Sequence, residues 1–131
     1  GSVTTMKVDR TNTISIGFRG VGGSARAAAI RDVSEESLML TGDQNIIDID
    51  FVVQWRIKNL RDYLFNIREP DITTKLAAES AIREVIGQTT LEDALSKGRQ
   101  LVENSTKILL QKILDSYKAG IFVAEVKMQK V

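Results

Sequence analysis

The chain has 131 residues, enough for one hydrophobic core and too few for two of ordinary size. Its 18 basic and 17 acidic side chains leave a formal net charge of +1, so there is no strong field to recruit nucleic acid or an anionic membrane. Histidine and cysteine are both absent, which removes a histidine general base, a thiol nucleophile, disulfides and structural zinc sites.

Catalysis would therefore have to run through carboxylates, lysine or serine. The absence of cysteine does not fix a compartment, because such a chain suits oxidising and reducing surroundings alike. The apolar share of 43% and charged share of 27% are those of an ordinary globular protein. No apolar run approaches the roughly 20 residues that cross a bilayer. Gly1-Ser2 reads as the remnant of a removed tag, so the expectation is a piece of a longer protein whose anchor and address lie outside it.

In chain order, residues 3–8 and 13–18 are expected as two short strands joined by the turn Asp9-Arg10-Thr11-Asn12. Ile14, Ile16 and Phe18 share one face of the second. Residues 19–35 have a different texture, with Gly20, Gly22 and Gly23 around Val21, the arginines Arg19, Arg26 and Arg31, and the run Ala27–Ala29. A phosphate cradle there would need a flanking strand, an opening helix and usually a lysine, and no lysine follows. A mobile surface loop and a partner-binding loop stay open for this segment.

Leu38-Met39-Leu40 is expected as a strand, followed by a turn at Thr41-Gly42-Asp43-Gln44-Asn45 and a long strand over 46–58. Ile47, Ile49, Phe51, Val53, Trp55 and Ile57 face one side of it; Asp48, Asp50, Gln54, Arg56 and Lys58 face the other, with Val52 the exception. Residues 59–65 form a short apolar turn or helix. Pro70 starts a helix that runs to about Gly87, with Leu76, Ala78, Ala81, Ile82, Val85 and Ile86 at helical spacing and Glu79–Arg83 on the wet face. Thr89 with Glu92, or Thr90 with Asp93, has capping-box spacing.

A last helix is expected from about Ser96 to Lys118, on a stripe of Val102, Leu109, Ile113 and Tyr117 widened by Leu101, Ile108, Leu110 and Leu114. Gly120 stands where a left-handed cap would end it. Residues 121–131 return as a strand, with Phe122, Ala124, Val126 and Met128 set against Ile121 and Val123. Strands, then helices, then one closing strand give an α+β fold: a twisted, largely antiparallel sheet with helices on one face.

These residues resemble the SPFH superfamily (stomatin, prohibitin, flotillin, HflK). The resemblance is carried by Leu38–Asn45 and Ile46–Ile57, by Tyr63-Leu64-Phe65, by Ala77–Gly87 including Ala78, Glu79 and Gly87, by Thr90-Leu91-Glu92-Asp93 and by Gly120-Ile121. The Thr41-Gly42-Asp43 turn and the Gln54-Trp55 pair point to the HflK branch. The likeness is close over 36–131 and loose before it, and the 19–32 loop matches nothing in the general pattern.

The resemblance implies one SPFH domain over 1–131, with an upstream membrane segment and a downstream coiled coil missing. It implies a single-pass bacterial inner-membrane protein with this domain on the periplasmic side. It also implies assembly with an HflC-like sibling into a large hetero-oligomer that restricts access to an FtsH-like AAA protease. No cofactor, metal or catalytic residue is implied.

On the residues themselves, Trp55 belongs to the core face, and Asp48 and Asp50 share their face with Arg56 and Lys58 as a solvated or salt-bridging surface rather than a cation site. The candidate interaction residues are Arg19, Arg26, Arg31, Asp48, Asp50 and Arg56. A stomatin-like, lipid-organising domain with no protease partner is the competing reading, and a histidine-free enzyme a third.

Overall fold

The structure, a computed structural model, describes residues 10–18, 40–43 and 48–130. The strand expected at 3–8, the loop at 19–35, Leu38, Met39 and Gln44–Ile47 lie outside the described residues. Three strands, β1 (Asn12–Phe18), β2 (Ile49–Ile57) and β3 (Ile121–Lys130), form an antiparallel sheet in the order β1-β2-β3. Between β2 and β3 come α1 (Leu60–Phe65), α2 (Pro70–Gly87), α3 (Leu91–Leu95) and α4 (Arg99–Ser116). This is the expected α+β architecture.

The central strand follows from its alternation. Ile49, Phe51, Val53, Trp55 and Ile57 are all buried, while Asp50, Val52 and Gln54 are half-buried on the outer face. Ile16 lies opposite Phe51 on one side and Met128 opposite it on the other, so Phe51 sits at the middle of the sheet. The helices cover this inner face. From α2, Ala77, Ala78, Ala81, Ile82 and Ile86 face inward, the three alanines letting the helix approach closely; from α4 come Val102, Leu110 and Leu114.

Pro70 opens α2 as expected, after Glu69 in a left-handed conformation (φ 46°). Other expectations are corrected. The sequence after Gly87 makes two helices, not one beginning at Ser96. The α3 cap is Thr90, whose side chain accepts from the Asp93 N–H at 3.2 Å, while the Thr89 hydroxyl donates back to the Val85 carbonyl at 2.7 Å. The apolar stripe of α4 is rotated: Val102, Glu103, Thr106, Leu110 and Leu114 are buried, Leu109 and Ile113 are half-buried, and Leu101, Ile108 and Tyr117 are exposed.

Leu76 on α2 is exposed as well, and Arg83 is not a solvated helix residue, because its guanidinium lies over the Phe18 ring at 5.1 Å. In β3 a bulge opposite Gln54/Trp55 inserts Ala124. Ile121, Val123, Val126 and Met128 therefore face inward together, and Phe122 and Ala124 are half-buried on the outer side.

Gly120 does not cap a helix. The last helix ends at Ser116, Lys118 takes the left-handed turn (φ 53°), and Gly120 (φ 70°) joins α4 to β3. Its carbonyl accepts from Lys58 N at 2.8 Å and Asn59 N at 3.1 Å, binding the start of β3 to the end of β2.

Candidate interaction surface

The turn that carries the family likeness has a structural task. The Thr41 hydroxyl donates to the Asp43 carboxylate, which also accepts from the backbone N–H of Leu91, first residue of α3, at 3.1 Å. Gly42 N donates to the Thr89 carbonyl at 2.6 Å. A side chain at 42 would meet the Gly87 carbonyl at 2.8 Å. Thr41, Gly42 and Asp43 thus latch onto the α2–α3 joint, with Gly42 set close to the Gly87 carbonyl. Ala78 is core, Glu79 is half-buried on α2, and Trp55 is core, its ring 5.9 Å from that of Tyr63. Burial, and secondarily Asp71, push the Tyr63 hydroxyl pKa up.

Along β3, side chains of α4 stand in for a fourth strand. Gln111 accepts from Val123 N at 2.8 Å and donates to the Ile121 carbonyl at 2.9 Å. One turn and more away, Glu103 accepts from Met128 N at 2.8 Å, and the Arg99 guanidinium donates to the Met128 carbonyl. An exposed edge is a template for pairing with another chain, and this arrangement blunts it. Gln111→Ala should cost about 1–3 kcal/mol by leaving both backbone groups without these partners, read as a lower urea midpoint at unchanged slope.

The outer sheet face holds the remaining predicted residues. Gln54 lies between Thr13 of β1 and Glu125 of β3, and Arg56 reaches across to Phe122, its guanidinium 4.4 Å from the ring centre. Asp50 is half-buried there and Asp48 is exposed just before the strand. The face therefore mixes charge with partly covered apolar surface. Arg19, Arg26 and Arg31 lie outside the described residues. Among the described residues no group of three or more acidic side chains is placed to hold a metal ion, and no helix is long and apolar enough to cross a membrane.

At the α1 end, Lys58 and Asp115 pair at 2.9 Å. The hydrogen bond from Lys58, aided by one from Gln111 and opposed by burial, holds the Asp115 carboxyl below its usual range. A lowered pKa means the folded state binds fewer protons than the unfolded one. The stabilisation is complete above the ordinary carboxylate pKa and is lost as pH falls through the lowered one. Both side chains are close to half exposed, so the effect is small. Lys58→Met should narrow, not abolish, the stability difference between about pH 7 and about pH 2, measured by urea unfolding at each.

Sequence reasoning missed the exposed apolar side chains: Phe65 is 79% exposed, and Leu101 and Ile108 are 69% exposed. It also missed Glu103 and Gln111, whose signal was faint, since a polar residue on the inward stripe of a helix has meaning only when an unpaired strand edge is known to lie opposite.

Comparison with known proteins agrees with this geometry. The SPFH domain / Band 7 family matches residues 3–131. Protein HflK of Buchnera aphidicola (from Acyrthosiphon pisum) is 36% identical over 100 residues, covering 76% of this chain and 25% of the relative. Modulator of FtsH protease HflK of Escherichia coli K12 is 33% identical over 101 residues, 77% of this chain and 24% of the relative. Protein HflK of Treponema pallidum is 30% identical over 126 residues, 95% of this chain and 38% of the relative. The chain spans about a quarter of the length of the first two and more than a third of the third. With the match running almost end to end and the motif residues holding the fold together, this chain belongs to the SPFH domain / Band 7 family.

Proposed function

We propose that this chain is the SPFH domain of an HflK-like regulator that works by assembly and not by chemistry. The observation that carries the reading is the 33–36% identity to proteins named HflK, one of them named as a modulator of FtsH protease. On this reading the domain stands on the periplasmic side of the bacterial inner membrane, held by a segment outside this chain. It joins an HflC-like sibling in a hetero-oligomer that limits which substrates reach an FtsH-like AAA protease.

The geometry is in keeping with that role. Thr41, Asp43, Glu103 and Gln111 are engaged in holding elements together. The outer sheet face, with Asp48, Asp50 and Arg56, is the proposed contact surface, together with Arg19, Arg26 and Arg31. Charged residues bordering partly covered apolar ones give such a contact register as well as area.

The test is affinity purification of the whole protein from detergent-solubilised membranes, followed by mass spectrometry. Recovery of an HflC-like sibling and an FtsH-like protease is the expected result. A particle containing neither would overturn the protease-regulator reading in favour of a stomatin-like, lipid-organising one.

A further inference from the structure

The edge strand β3 and the outward side of α4 border a groove of about 480 Å³. Ile108 and Phe122 supply its apolar surface. Ile108 is 69% exposed on α4, and Phe122 is half-buried on the outer side of the sheet. Lys107 and Lys112 flank Ile108 along α4 and line the same groove. Among the described residues neither lysine has a carboxylate partner, and the one acid of the lining, Asp115, is already engaged by Lys58 and by Gln111, each at 2.9 Å. The Phe122 ring also carries a third cation, the Arg56 guanidinium, 4.4 Å from its centre.

The form of the groove limits what fills it. The backbone of β3 is not on offer here, because Gln111 already accepts from Val123 N and donates to the Ile121 carbonyl. A partner therefore does not add as a strand and is held through its side chains. The exposed apolar surface is two side chains long, enough for one large apolar residue and too short for an acyl chain. The unpaired lysines beside it complement carboxylates on either side of that residue.

We propose that this groove binds an acidic peptide segment of a partner protein, one large apolar side chain packing between Ile108 and Phe122 and neighbouring carboxylates pairing with Lys107 and Lys112. Arg56, on the same ring, extends the cationic border toward the outer sheet face. The contact needs only this chain, so it stands apart from the assembly reading.

The experiment selects binders from a random heptapeptide library displayed on phage, with the purified chain as bait, and measures the enriched peptides by fluorescence anisotropy. Enrichment of sequences that set a carboxylate beside a large aliphatic or aromatic residue is expected. For such a peptide, Lys107→Ala combined with Lys112→Ala should raise Kd about fivefold, and Ile108→Asp about tenfold. All three positions are at least partly exposed, so the core is left intact. Lys107→Arg combined with Lys112→Arg should stay within about twofold, and Lys97→Ala, outside the groove, should change nothing. No enrichment, a consensus without acidic residues, or binding indifferent to the alanine and aspartate variants overturns the proposal. Phosphatidylglycerol vesicles are tested alongside: lysine-dependent binding to them with no peptide enriched overturns it as well, in favour of a lipid head.

Discussion

Gly120→Ala should remove about 4 kcal/mol or more of stability, a large part of what a domain of this size holds in reserve. Two costs combine. The residue sits at φ 70°, which an L side chain rarely adopts, and an added Cβ would lie 2.2 Å from the Asn59 carbonyl oxygen and 2.8 Å from Tyr63 N. These are backbone atoms of the β2–α1 connection and of the first turn of α1, and cannot turn aside as a flexible side chain would. The same connection receives the Gly120 carbonyl through Lys58 N and Asn59 N, so any shift that relieves the clash loosens two hydrogen bonds. Thermal or urea unfolding measures it. Gly87→Ala is the control: a Cβ there meets nothing within 4 Å at the end of a helix, and the expected change is neutral to favourable. Equal midpoints for the two variants would show that the junction is slack.

Phe51→Ala should cost about 3–5 kcal/mol. Phe51 has no exposed surface and lies on the inner face of the central strand, with Ile16 and Met128 on either side and helices above. Removing the ring loses its burial and leaves a void whose walls belong to hydrogen-bonded strands, which collapse poorly. Phe51→Leu, which keeps most of the volume, should cost no more than about 1.5 kcal/mol. The comparison separates cavity formation from a general intolerance of change at this site, using urea midpoints at constant slope.

What could be read in advance depended on whether a local pattern was enough. The alternation of β2 places every described residue from Ile49 to Ile57 on its correct face, because one covered face and one wet face leave a strict signature. Pro70 likewise announces α2. The alternation of β3 misleads after Val123, because a single inserted residue, Ala124, reverses the faces, and a bulge has no composition of its own here. On α4, counting apolar residues favours Leu109, Ile113 and Tyr117 over the true inward set. Glu103 and Thr106 hold places on the buried stripe, and Glu103 is tolerated there through its bond to Met128 N.

The site divides in the same way. Thr41, Gly42, Asp43 and Gly87 stood out as a motif, yet only the fold shows that they meet, since Gly42 bonds to Thr89 and Asp43 to Leu91. Exposed residues such as Phe65 and Ile108 look like core in a sequence. An assembly surface has no fixed spacing of chemical groups to announce it, whereas a catalytic constellation often does.

Function by assembly stands or falls on the mass of the whole detergent-solubilised protein, measured particle by particle or by light scattering after gel filtration. A large multi-subunit particle is expected, and Arg56→Glu combined with Asp50→Lys on the outer sheet face should reduce it while leaving the domain folded. A wild-type protein of single-subunit mass, folded and homogeneous, would contradict it.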